Sequence, residues 1–331
     1  MEIIAIIIAN TIAFGIPLLL VALAGMFSER SGVVNIALEG IMVFGSLFGA
    51  IFLSTSIVNS GLADSNPQLI VIIAMLISAI AGTLFSLLLA YASIKLKANQ
   101  IISGTALNMF APAFAIIIAW AIQGQGLTDI VLPEMVNIDW GLDPASVPLW
   151  VDTLLTKKMY ITTPLSLVVL LVAFITLYKT KFGLRLRSCG EHPQAADSVG
   201  INVIRMRYIG VGISGFLAGI GGFAYVMASS NSTFTGDVAG YGFLALAVMI
   251  FGNWKPFKIF FAALFFSFFK TISALAVDDQ LARFFPTFNL QSPENLYRML
   301  PYLITLVVLA FTSKKSRAPK AEGIPYDPGK R

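Results

Sequence analysis

The sequence predicts an all-α polytopic membrane protein, and three observations predict it. Of 331 residues, 57% are hydrophobic and 12% charged, whereas a soluble domain carries roughly 25% charged residues. The mean hydropathy is +0.84. Nine apolar runs approach or exceed the roughly 20 residues that a helix needs to cross a hydrocarbon core about 30 Å thick. This composition excludes a soluble enzyme, a disordered chain and a nucleic-acid-binding module, and a pI of 9.3 does not reopen the last of these. One cysteine and one histidine leave no intrachain disulfide and no metal cluster. No catalytic residue, metal site or cofactor is therefore expected in this chain.

In order, the long runs are Ile3–Phe27, Val33–Ser54, Gln68–Ile94, Asn99–Ile122, Ile161–Tyr178 and Tyr208–Ala228. Shorter or interrupted ones follow at Gly240–Trp254, Phe257–Val277 (broken by Lys270) and Leu296–Phe311. Gly240–Trp254 reaches only about 22 Å at the helical rise. It must borrow flanking residues or lie in a protein-buried position. The first run starts with Glu2 instead of a basic segment and is too long for a cleavable signal.

Basic residues orient the spans. With Met1 outside, 17 of the 22 Lys and Arg fall in inner connections and the tail. The net charge of +5 is then a topology signal with no nucleic-acid partner implied. Nine crossings follow, with the last residues cytoplasmic. Residues 1–311 form one transmembrane domain, with an outer connection at about 123–160 and an inner one at about 180–207. Trp140 and Trp150 in the outer connection suit an interfacial belt. Leu281, Phe284 and Phe285 suggest a short amphipathic helix within Asp278–Glu294. The basic tail, 312–331, is expected to be mobile.

No GxxxxGK[ST] phosphate loop occurs; the only Gly-Lys pair is Gly329–Lys330. Only Glu39 and Lys270 lie well inside spans, unlike the ionisable pathways of ion-coupled carriers. A channel, a passive facilitator or a permease with a separate motor subunit remain.

Asn35 and Glu39, four apart, would share a helical face. They read as substrate-path residues or as a structural network in which Glu39 satisfies backbone groups where Gly40 and Gly45 loosen the helix. Asn99 and Gln100 read as interfacial. Asn108, followed by Phe110 and Pro112, faces a pathway or joins helices, since amides and aromatics suit an uncharged, ring-bearing solute and amides also bind helices together. Tyr241 and Phe243 line a cavity or face lipid. Gly215 and Gly219 have the spacing of close helix packing. Lys270 reads as half of an ion pair or as a substrate contact.

The stretches FSERSGVVNIALEGIMVFGS, FGLRLRSCGEHPQAADSVGIN and GYGFLALAVMIFGNWKP together resemble the permeases of ATP-binding-cassette importers. The branch is the one shared by ribose-type sugar and branched-chain amino-acid permeases. The form ERSGVVNIALEG is most similar to bacterial nucleoside importers that work with a basic-membrane-lipoprotein-type binding protein. The resemblance runs from about Phe14 to about Phe311. It implies a type II importer fold with about ten helices and two inverted halves, in which Val33–Ser54 and Gly240–Trp254 correspond. It further implies a second, different permease subunit, a cytoplasmic ATP-binding subunit that uses ATP and magnesium, an extracellular substrate-binding lipoprotein, and a nucleoside as substrate in the bacterial cell membrane. Ribose or another simple sugar is the alternative substrate.

Within the inner connection, Pro193 can begin a short helix and Gly200 end it. The resemblance makes Arg187, Glu191, Pro193, Gln194, Ala195, Ala196, Val199 and Gly200 the surface that couples to the ATPase. Small Ala195 and Ala196 would dock closely, and Arg185, Arg187 and Arg205 would pair with acids at the rim. The residue-based alternative is an ordinary basic loop that sets topology.

Overall fold

A computed structural model describes residues 2–54, 66–124, 126, 129–132, 148, 160–228, 230, 232–277, 293–312 and 317–328. Trp140, Trp150 and the amphipathic segment around Phe284 lie outside the described residues. Among the described residues, eleven α-helices are found: α1 (Glu2–Arg30), α2 (Leu38–Ser54), α3 (Pro67–Ala90, continued by a π turn Tyr91–Lys95), α4 (Gln100–Gln123), α5 (Thr162–Lys179), α6 (Lys181–Glu191), α7 (Pro193–Ser198), α8 (Val203–Ala228), α9 (Tyr241–Phe251), α10 (Pro256–Val277) and α11 (Pro293–Thr312). Six of them, α1, α3, α4, α5, α8 and α10, are long and apolar enough to cross a membrane. The other three apolar runs form α2, α9 and the middle of α11, all shorter.

The centre of the bundle is α8, packed against α1, α2 and α3. Glycine sets how close these helices come. A Cβ on Gly45 of α2 would lie 2.6 Å from the Gly219 Cα of α8, and one on Gly82 of α3 would lie 2.5 Å from the Gly215 carbonyl oxygen. Gly215 and Gly219 thus do what their spacing predicts. Gly40 and Gly45 are points where α2 comes into backbone contact with α4 and α8.

The run Val33–Ser54 does not begin as a helix. After α1, Gly32 turns the chain at φ +96°, and helix starts only at Leu38. The intervening backbone finds distant partners: Val34 N–H donates to Gln100 Oε1 at 2.7 Å, and Asn108 Nδ2 donates to the Ile36 carbonyl at 2.8 Å. Side-chain amides thus satisfy groups that a helix would otherwise pair internally. Two expectations are corrected by this. Asn35 is outside α2 and shares no helical face with Glu39, and Gln100 is buried rather than interfacial. Asn99 caps α4, accepting from the N–H groups of Ile101 and Ile102.

A two-residue antiparallel pair joins β1 (Ile130–Val131) in the outer connection to β2 (Thr233–Phe234) after α8, with Ile130 opposite Phe234. The described part of the tail is docked, contrary to its expected mobility. Pro319, Ala321 and Tyr326 are buried, and the Ala321 N–H donates to the Gly190 carbonyl at 2.8 Å.

Candidate functional site

At one end of the bundle, Trp254 follows α9 and donates its indole N–H to Glu29 Oε2 at 2.6 Å. Arg30 Nη2 donates to the Trp254 carbonyl at 3.2 Å. The far end of α9 is therefore fixed where α1 finishes. Eleven helical residues rise only about 16 Å, about half of a core about 30 Å thick, so with that end at a membrane surface the first turn of α9 would lie at half depth. From the same end, the seven residues between α1 and α2 extend at most about 23 Å, enough to bring the start of α2 to that depth.

The two half-depth helices meet there head to head. The N–H of Gly240 donates to Glu39 Oε1 at 2.8 Å, and that of Gly242 donates to Glu39 Oε2 at 2.6 Å. Gly240, at φ +76°, turns the chain into the helix. Glu39 stands in the first turn of α2 while capping α9, so its carboxylate lies at the electropositive ends of both helices. Asn108 of α4 completes the arrangement by accepting from the Gly40 N–H at 2.7 Å. Thus α4 caps α2, and α2 caps α9.

Around this junction, the Tyr241 ring is buried 4.6 Å from that of Tyr225, and Lys270 Nζ lies 5.6 Å from the Tyr241 ring centre. Both ionisable residues that the sequence placed inside spans converge on one helix turn. Asn35 Nδ2 donates to Ser214 Oγ at 2.8 Å. Of the six predicted pathway residues, Asn35, Glu39, Asn108 and Tyr241 therefore gather at packed helix ends with partners inside the protein. Phe110 and Phe243 are half exposed instead. Phe110 stacks on Phe114 and Phe85, and Phe85 on Phe44. Chemically the junction holds broken helices in place. Among the described residues, no cluster of His, Cys, Asp or Glu could hold a metal ion.

The inner connection forms the short helix its residues predict, α7, and before it a helix that was not expected, α6. The Thr180 hydroxyl accepts from the Gly183 N–H at 3.2 Å and caps α6. Pro193 opens α7, and Gly200 at φ +81° closes it. Arg187 lies over the Tyr178 ring at 4.8 Å, and Glu191 pairs with Arg30 at 3.6 Å. One expectation needs correction. Pro193 and Ala196, three apart, face the bundle, with Ala196 only 3% exposed, so Ala196 cannot dock outward. The outward residues are Gln194, Ala195, Asp197, Ser198 and Val199.

Sequence reasoning missed Glu29, Trp254 and Arg207. Arg207 is fully buried and donates from Nη1 to the Ile324 carbonyl of the tail at 2.9 Å. A signal existed for two of them: Glu29 ends a long apolar run, and Trp254 sits in GNWKP, both inside the stretches that carry the family resemblance.

Six helices long and apolar enough to cross a membrane, packed around α8, with two shorter helices meeting end to end, define a multi-pass membrane protein. Residues 7–309 match the family described as branched-chain amino acid transport system / permease component, and the chain belongs to it. It is 38% identical over 330 residues, 100% of this chain and 99% of the relative, to the guanosine ABC transporter permease protein NupQ of Bacillus subtilis. Identity is also 38% over 327 residues, covering 97% and 96%, to the nucleoside ABC transporter permease protein NupC of Lactococcus lactis. A more distant relative is the putative glucose ABC transporter permease protein TsgC13 of Haloferax volcanii, 27% identical over 310 residues, covering 91% and 89%. No solved structure matches.

Proposed function

We propose that this chain is a permease subunit of an ATP-driven importer and carries nucleosides delivered by an extracellular binding lipoprotein. One observation carries the reading: 38% identity along essentially the whole chain to two relatives named for guanosine and nucleoside transport. The end with α6, α7 and the tail is cytoplasmic in this reading, because 17 of the 22 Lys and Arg fall in the sequence's inner connections and tail. A separate ATPase uses ATP and magnesium, and a second, different permease completes the pathway.

In this reading α7 couples the motor to the gate. Only four residues separate α7 from α8, and α8 is packed on α1, α2 and α3. A displacement of α7 by the ATPase is transmitted along the central helix to both half-depth helices. The substrate path is the proposed role of Phe110 and Phe243, the two predicted residues that present rings outward. Asn35, Glu39, Asn108 and Tyr241 support the path by holding the helix junction.

Uptake of labelled guanosine by the co-expressed complex tests this. Unlabelled nucleosides should compete, and unlabelled ribose and leucine should not. Competition by a simple sugar alone would favour the second reading, to which the likeness to TsgC13 gives some support. Guanosine uptake of equal extent with and without the ATPase would make the chain a passive facilitator.

A further inference from the structure

The tail segment 317–328 runs across the connections at the basic end of the bundle like a strap. The Arg317 N–H donates to Asn253 Oδ1 at 2.9 Å, beside the end of α9. Ala321 is bonded to Gly190 at the end of α6. Arg207, at the start of α8, holds the Ile324 carbonyl and lies 6.0 Å from the centre of the Tyr326 ring. Asp327 pairs with Lys97 at 3.2 Å, beyond the end of α3. A polar segment that only trailed from the last helix would have no reason to match two connections and two helices at once.

The strap also borders α7. One cavity of about 620 Å³ lies between the outward face of α7 (Gln194, Ala195, Asp197, Ser198) and the strap residues Tyr326, Asp327 and Pro328. A second, of about 310 Å³, continues from Tyr326 and Pro328 toward Gly200, Asn202 and Ile204. Next in sequence to the lining residues stand two exposed aliphatic side chains, Val199 at 74%, beside Gly200, and Ile324 at 56%, two residues before Tyr326. Apolar side chains at the basic end face water unless a protein covers them. Asp197 and Asp327 line the first cavity, and Arg185 and Arg205 line a neighbouring one with Val199 and Gly200, so the indented surface mixes charged and apolar groups, as docking surfaces do.

We propose that residues 324–328 form, with the outward face of α7, one composite surface on which the ATP-hydrolysing subunit seats. The inference rests on the function proposed above. It extends the coupling surface to a segment outside the inner connection and assigns Arg207 the role of holding that segment in register with α7.

Site-specific photocrosslinking in the co-expressed complex tests it. A photoreactive amino acid would be placed at position 195, at position 324 and, as a bilayer control, at the exposed Leu306 of α11. Positions 195 and 324 should both capture the ATPase subunit, and position 306 should not. Ile324→Asp should reduce ATPase co-purification by about tenfold, as Ala195→Trp should, with membrane insertion unchanged, since a charge or bulk at the centre of an interface removes most of its affinity. Capture at 195 without capture at 324 would overturn the composite surface and leave the proposed function standing. Capture at neither position would overturn both. Capture of lipid or of the second permease alone at 324 would also overturn the inference.

Discussion

Glu39 uses both carboxylate oxygens on the backbone N–H groups of Gly240 and Gly242. A buried N–H that loses its acceptor costs about 1–3 kcal/mol. Glu39→Ala removes both acceptors at once, whereas Glu39→Gln keeps one carbonyl oxygen. The expected order of thermal midpoints in detergent is wild type, then Gln, then Ala, with uptake following the same order. An alanine variant as stable as the wild type would show that the carboxylate serves the solute instead of the helix ends. Asn108→Ala should behave like Glu39→Ala, because it orphans the Gly40 N–H and the Ile36 carbonyl together.

Between elements, backbone contact along α8 decides the packing. Gly45→Ala and Gly82→Ala each push a methyl group against backbone atoms of α8. Overpacking of this kind costs about 1–3 kcal/mol. Gly212→Ala is the matched control, since a Cβ there meets nothing within 4 Å. Size-exclusion profiles and melting curves should separate the first two variants from the third. The Gly215/Gly219 spacing and the Pro193/Gly200 boundaries were legible because each depends on residues close in sequence. The start of α2 was not, because hydropathy runs on through Val33–Ala37 while its backbone partners, Gln100 and Asn108, lie far along the chain. Ala195 and Ala196 look alike in sequence, and only burial separates the outward one from the inward one. The strap was illegible because a basic, proline-containing tail reads as solvent-exposed, and its anchor, Arg207, read as one more topology charge.

Across the whole molecule, docking of the strap depends on pH. Burial pushes the Glu322 carboxyl up to about 6 from its ordinary 4.5, against the opposing effects of its hydrogen bond with Glu29 and of the Arg30 charge. The docked state therefore binds this proton more tightly than the released one. By linkage, the contribution of this one proton to docking is fully present below about pH 4.5 and is lost as pH rises through about 6, while the strap's other contacts persist. Limited proteolysis of the tail should accelerate across that interval, and Glu322→Gln should abolish the acceleration and protect the tail at neutral pH. Sidedness has its own measurement. Gln194→Cys in a Cys189→Ser background should resist a membrane-impermeant thiol reagent in intact cells and react once the cells are opened. Reaction in intact cells would invert the proposed topology.

The contact between the first turns of α2 and α9 would lie near mid-membrane with the α6–α7 end at one surface. A point held at that depth would serve as a fulcrum. Any tilt of one half of the chain against the other about it carries the two ends of the bundle in opposite senses, so widening at one surface narrows the other. With Glu39 as the pin, a pathway beside the fulcrum would be open to one side at a time through leverage alone, with no second gate required to keep the two openings out of phase.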